Sequence, residues 1–384
     1  MKIQKLTYRD QEYNWKLDTV EFSPNLNLLV GISGAGKTQI LRSIKGFQKI
    51  ANGASLNGVE WDIAFTTTAQ IMYHWTGKFE TVKTNKLVPK KDVELDEDYD
   101  FKILYESLEK DGLKIVERTE NGIIFNQEKT PKLSPFKSVV ELLSEEEDIN
   151  PVKKEFEKII LTEPEQVYEG MWRIPMSVLK KYENCSLAEI KESDLPISVK
   201  LSLAYRYQTE AFNQIKKIFI DIFNHVEDIK IEPFNTDDFP MPLANLLRET
   251  TLVNIKEKGV DTWIKQNYIS LGMFKTLMYI SELYLSPDES VILIDEFENS
   301  LGVNCIDSVT DLILENNNLQ FIITSHHPYI INNINPAYWK IVTRRGSTIS
   351  VKTAEDYHIS HTQQKAFIDL INILENESND IEEE

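Results

Sequence analysis

The residues with the plainest chemical potential lie in the octapeptide Gly-Ile-Ser-Gly-Ala-Gly-Lys-Thr, residues 31–38. It fits the pattern G-x-x-x-x-G-K-[ST], with Gly31, Gly36, Lys37 and Thr38 at the fixed positions. Glycines let the backbone turn tightly, so that successive N–H groups, here those of Ser33, Gly34 and Ala35, converge on phosphate oxygens. Lys37 then reaches the β- and γ-phosphates, Thr38 offers its hydroxyl to Mg²⁺, and Gln39 follows inside the nucleotide-binding stretch. Hydrolysis needs more: a carboxylate near the metal and a group to handle the attacking water. Val-Ile-Leu-Ile-Asp-Glu-Phe-Glu, residues 291–298, supplies both, Asp295 to orient Mg²⁺ and Glu296 to orient or deprotonate water.

Two further clusters belong to the same chemistry. Ser270 and Gly272 stand where an apolar helical pattern begins; a hydroxyl, a glycine N–H and a helix N-terminus together suit an anion. Thr324 and Ser325 end an apolar run and lead into His326 and His327, one of which can meet a γ-phosphate and position water. His358 and His361 lack a third ligand nearby and read as surface histidines.

The elements that must carry these residues are legible in outline. Residues 2–10 and 15–23 alternate like a strand pair, and Leu26–Val30 reads as a buried strand leading into the glycine loop. Ile40, Leu41, Ile44, Phe47 and Ile50 then recur at helical spacing. Strand patterns occupy much of 60–130, with the charged stretch 83–100 read as an exposed loop; helical patterns dominate about 136–225. From about 247 a strand precedes a helix over the later part of 268–285, whose buried face is Phe274, Leu277, Met278 and Leu285, interrupted by Ser281. The apolar runs before Asp295 and His326 are buried strands, and such strands separated by helices predict a parallel sheet covered on both faces. The expected architecture is an α/β domain whose halves flank a helical insertion.

These four clusters, in this order, resemble the ABC-type ATPases of the SMC, RecF and OLD (overcoming lysogenization defect) group. Residues 31–38 are similar to Walker A, Ile-Ser-Leu-Gly-Met (269–273) to the signature motif, 293–302 to Walker B plus D-loop, and Ile-Thr-Ser-His-His-Pro (323–328) to the switch-histidine motif. The resemblance implies a two-lobed P-loop head, with a mixed-sheet lobe I at 1–135, a helical accessory insertion at 136–245 and a parallel-sheet lobe II at 246–345. A C-terminal strand, helix and acidic tail follow at 346–384, the last stretch fraying into solvent. It also implies ATP and Mg²⁺ as ligands, His326 as the switch histidine, and Ser270 and Gly272 acting in trans across a homodimer or higher even-numbered oligomer. The chain departs from the pattern at Ser33, where asparagine is usual, at Ser-Leu-Gly in the signature, and at Gly302 in the D-loop. These departures leave every catalytic group in place and suit a slow, switch-like turnover. The glutamine of the Q-loop stays open among Gln70, Gln127 and Gln166.

Composition narrows the partners. A net charge of −19 argues against broad electrostatic binding to nucleic acid or anionic membranes. Two cysteines, Cys185 and Cys305, make no disulfide framework or zinc spacing, and no apolar run is long enough to span a bilayer, so a cytoplasmic chain without a membrane partner is expected. The insertion lacks the sustained heptads of SMC arms. Too few residues follow His326 for the metal-binding domain that OLD-type nucleases add. The chain therefore resembles the stand-alone ATPase subunits of bacterial anti-phage defence systems, which imply a separately encoded effector, often a nuclease. The other reading is a RecF-like DNA-repair ATPase that clamps DNA through lysines of the accessory helices.

Overall fold

A computed structural model describes residues 1–83, 100–162, 168, 172–233, 250–299, 301–359 and 363–382. The expected exposed loop at 83–100 therefore lies almost wholly outside the described residues. The chain opens with β1 (Lys2–Asp10), β2 (Trp15–Glu21), β3 (Leu26–Val30) and helix α1 (Lys37–Ala51). Then come β4 (Val59–Thr66), β5 (Met72–Phe79), β6 (Ile103–Lys110), β7 (Leu113–Thr119), β8 (Gly122–Phe125) and β9 (Glu128–Lys129). Helices α2 (Val139–Leu142) and α3 (Asn150–Glu157) lead to β10 (Ile159–Leu161) and β11 (Trp172–Arg173). A helical run follows: α4 (Met176–Tyr182), α5 (Leu187–Lys191), α6 (Ile197–Tyr207) and α7 (Thr209–Ile222). The remainder is β12 (Val226–Pro233), β13 (Thr250–Glu257), β14 (Ile264–Lys265), α8 (Leu271–Leu285), β15 (Val291–Ile294), α9 (Val303–Glu315), β16 (Gln320–Thr324), α10 (Pro328–Asn333), β17 (Trp339–Arg345), β18 (Thr348–Thr353) and α11 (Gln363–Glu382).

The chain divides into two units, one of Met1–Leu161, Glu289–Glu296 and Gln320–Glu384, the other of Thr162–Asp288 and Phe297–Leu319. In the first, one mixed sheet runs in the order β10-β15-β16-β3-β17-β18-β2-β1-β4-β5-β6-β7-β8-β9. From β10 to β17 all neighbours are parallel, and the strands beyond β2 pair antiparallel. The parallel part and the mixed part thus share one continuous sheet. Every residue of β3, β15 and β16 is buried, as expected for strands covered on both faces. The predicted stripe of α1 is buried in full, with Ile40, Ile44, Phe47 and Ile50 at 0% exposure against a core that includes Trp61, Phe65 and Phe156.

Three local readings change. The helical pattern of residues 139–160 stops at Glu157, because the apolar triplet Ile159–Leu161 pairs with β15 as a parallel strand. Ile103–Lys110 forms a strand that its charge content hid. The acidic tail does not fray throughout: backbone helix α11 continues to Glu382, in a stretch free of glycine and proline and supplied with glutamates, which are good helix formers.

In the second unit α8 is buried nearly all round, not on one face. Phe274, Leu277, Met278 and Leu285 are at 1% exposure or less, but so are Lys275, Thr276, Ile280 and Ser281. It packs on α6, α7 and α9. The polar members are satisfied locally: Ser281 Oγ donates to the Leu277 carbonyl at 2.7 Å and Lys275 Nζ to the Asn299 carbonyl at 2.8 Å. Burial pushes the Glu282 carboxyl up to about 7 and the Lys200 ammonium down to about 8, against the attraction between them.

Candidate functional site

The glycine loop leaves the end of β3 and enters α1 through Gly36, whose φ of 104° is left-handed. A Cβ at Gly36 would lie 2.4 Å from Ile349 Cδ1, and one at Gly31 2.4 Å from the Val342 carbonyl oxygen. The loop is therefore wedged against the β17–β18 hairpin, and only glycine fits at either position. Lys37 Nζ donates to the carbonyls of Gly31 at 2.7 Å and Ile32 at 3.0 Å, lying across the loop it belongs to.

Facing this loop are the ends of β15 and β16. Thr38 Oγ1 donates to Asp295 Oδ1 at 3.2 Å, and Thr324 Oγ1 donates to the same oxygen at 2.6 Å. Thr324 Oγ1 also accepts the backbone N–H of Glu296 at 2.8 Å. That bond holds Glu296 at a φ of 48°, a left-handed conformation that costs a non-glycine residue about 1–2 kcal/mol. Gly31, Ser33, Gly34, Gly36, Lys37, Thr38, Gln39, Asp295, Glu296, Thr324 and His326 all line one cavity of about 560 Å³. Ala35 sits in the loop but is buried beneath it, at 2% exposure.

The two histidines separate. His326 is exposed and lines the cavity, whereas His327 Nδ1 accepts the Tyr329 N–H at 3.3 Å and caps α10. Ser270 is the N-cap of α8 in the second unit: its hydroxyl accepts the Met273 N–H at 3.2 Å, and the residue stays exposed, with Gly272 half-buried in the first turn. Gly302 is the N-cap of α9. Among the described residues Gln39 is the glutamine that lines the cavity; Gln70 and Gln127 lie in turns elsewhere, and Gln166 is outside the described residues. His358 is exposed, His361 is outside the described residues, and among those described no cluster of three metal-ligating side chains forms.

Two residues carry roles that the sequence did not assign. Thr324 ends β16, which pairs with β15 through Ile323 and Ile294, and this register sets its hydroxyl beside Asp295. Arg344, near the end of β17, lines the cavity and donates to Gln39 Oε1 at 3.4 Å. A basic residue near the end of the strand after the histidine motif was the only signal for the second.

The donor set suits the ligands that the motifs imply. Thr38 and Asp295 present oxygens only, as a hard cation such as Mg²⁺ prefers, and the loop's shape leaves the N–H groups and Lys37 for phosphate. Thr324→Val, which removes the hydroxyl and keeps the shape, is expected to lower the hydrolysis rate about 10–100-fold with ATP affinity unchanged. Thr324→Ser should restore most of the rate. Steady-state phosphate release against ATP concentration checks both.

Sheet, loop and carboxylates together define a P-loop ATPase of α/β architecture. Residues 26–332 match the family described as "AAA domain, putative AbiEii toxin, Type IV TA system", and the chain belongs to that family. Among solved structures, one described as the SmcHead bound to the C-winged helix domain of ScpA aligns with 92% of this chain and 97% of its own, at 14% identity and a TM-score of 0.49. Another, an Smc head domain with an extended coiled coil bound to the C-terminal domain of ScpA derived from Pyrococcus furiosus, aligns over 93% and 98%, at 12% identity and a TM-score of 0.47. No curated protein matches the chain. Among the described residues no helix is long and apolar enough to cross a membrane.

Proposed function

We propose that this ATPase is a slow molecular switch whose two states are an ATP-closed dimer and an open form. The observation that carries the reading is the shared Thr324 hydroxyl, which ties the carboxylate of Asp295 to the backbone of Glu296 in the cavity that Lys37 lines. In this scheme the loop N–H groups and Lys37 bind the triphosphate and hold its charge. Thr38 and Asp295 hold Mg²⁺, which when bound neutralises charge developing between the β- and γ-phosphates. Glu296 takes a proton from the attacking water, and His326 orients that water toward the γ-phosphate. The outer face of that phosphate is left for a second copy to cover. Ser270 and Gly272 of that copy do so, through an exposed hydroxyl and the N-terminus of the fifteen-residue helix α8.

ATP then acts as the adhesive between two copies, and hydrolysis lets them part. Such a cycle suits control of a partner better than bulk turnover. A family described by a toxin–antitoxin system and a chain of net charge −19 both favour a separately encoded, nucleolytic protein effector over direct DNA binding. Ser270→Arg tests the composite site. It should bind ATP with parental affinity while losing the ATP-dependent dimer, read by light scattering with and without nucleotide. An ATP-bound dimer in the variant, or a parent chain that stays monomeric in every nucleotide state, would sink the reading. DNA-stimulated hydrolysis that falls steeply with salt would point to a DNA clamp instead.

A further inference from the structure

The cavity has a second wall of quite different chemistry. Phe367, Leu370, Ile371 and Leu374 line it from α11, at the i, i+3, i+4, i+7 spacing of one helix face. The helix is anchored there: Ala366 and Leu370 are at 0% and 1% exposure, and α11 packs on α10 and β17. Ile371 nevertheless keeps 39% exposure, so apolar surface remains open to water at the rim of a phosphate cavity. A polyanion gains nothing from such a wall, because bringing phosphate oxygens against it removes their hydration without replacing it. An apolar, flat portion of the same ligand gains burial and a ring face to stack on. Arg344 also lines the cavity, its guanidinium shared between Gln39 Oε1 at 3.4 Å and the Gly346 carbonyl at 3.0 Å.

We propose that this face of α11 is the base subsite of the nucleotide. A heteroaromatic base stacks on Phe367 and covers Ile371, and Arg344 lies where sugar meets phosphate. The assignment rests on reading Gly31–Gln39 as the phosphate cradle. It gives the C-terminal helix a direct part in choosing a nucleotide over a bare polyphosphate, since the loop alone grips both equally.

The test compares two probes, MgATP and magnesium tripolyphosphate, by calorimetry on the full chain. The parent should bind ATP about tenfold or more tighter than tripolyphosphate. Phe367→Ala and Ile371→Asp should each weaken ATP about tenfold and change tripolyphosphate less than about twofold. Ile371→Asp alters a partly exposed position, so it carries the comparison if Phe367→Ala unfolds the helix. Parental or tighter ATP binding in Ile371→Asp would overturn the assignment and make α11 a mere cover. Equal affinity of the parent for the two probes would overturn it as well, while leaving the cradle standing. Lys37→Ala separates the two ideas, because loss of the cradle abolishes both probes together; a parent that binds neither probe overturns cradle and base subsite alike.

Discussion

Lys37→Ala should lose nucleotide binding by about 100-fold or more. The ammonium now donates to two neutral carbonyls of its own loop, at 2.7 and 3.0 Å. A triphosphate replaces those acceptors with charged oxygens, and hydrogen bonds between charged partners are worth about 1.5–3 kcal/mol each. Losing two of them, about 3–6 kcal/mol together, amounts to two or more powers of ten in affinity. The fold should survive, because the side chain lies at the surface of the loop and α1 is held by its buried stripe. Equilibrium binding of a fluorescent ATP analogue, with a thermal melt alongside, reads both. Retained affinity in a folded variant would remove the cradle from the molecule's function.

Glu296→Gln is the complementary case, in which binding persists and chemistry stops. The amide keeps the shape and the backbone bond to Thr324 but cannot accept a proton from water. A drop of about 10²–10⁴ in hydrolysis rate is expected, the range for removing a positioned general base. With ATP bound and unspent, the variant should accumulate as the closed dimer. Single-turnover hydrolysis and size-exclusion in ATP measure the two consequences separately. Hydrolysis at the parental rate would take the general-base role from Glu296.

The contrast between what was and was not visible in the chain has a physical origin. Gly31, Gly36, Lys37 and Thr38 lie within one octapeptide, where the loop must turn, approach the hairpin and open a helix. Such features are readable because the tight turn and the helix start are set within one short stretch, although the hairpin contacts of Gly31 and Gly36 are long-range. Asp295 is nearly as plain, since it directly follows the unbroken apolar strand β15, and His326 follows the end of β16 by two residues. Thr324 is different. Nothing in its immediate neighbours distinguishes it from Ser325, and only the parallel register of β16 on β15 turns its hydroxyl into a bridge between Asp295 and Glu296. Arg344 likewise acquires meaning only when β17 lies beside β3 and extends past its end. For α8, the periodic pattern indicated one buried face; burial all round depends on helices α6, α7 and α9, which periodicity within α8 cannot register. Strand β10 was hidden because three apolar residues after a helix fit either state, and pairing with β15 settles them as strand.

The long sheet has a bearing on how copies of this chain can associate. Its terminal strands are β10, of three residues, and β9, of two, the latter exposed and carrying a glutamate and a lysine. Edges this short, one of them charged, offer little template for another strand, the usual route to fibres and runaway aggregates. Self-association is thereby directed away from backbone pairing and toward loops and helix ends. Contacts there can close on themselves as finite, symmetric assemblies that a bound ligand can make and release.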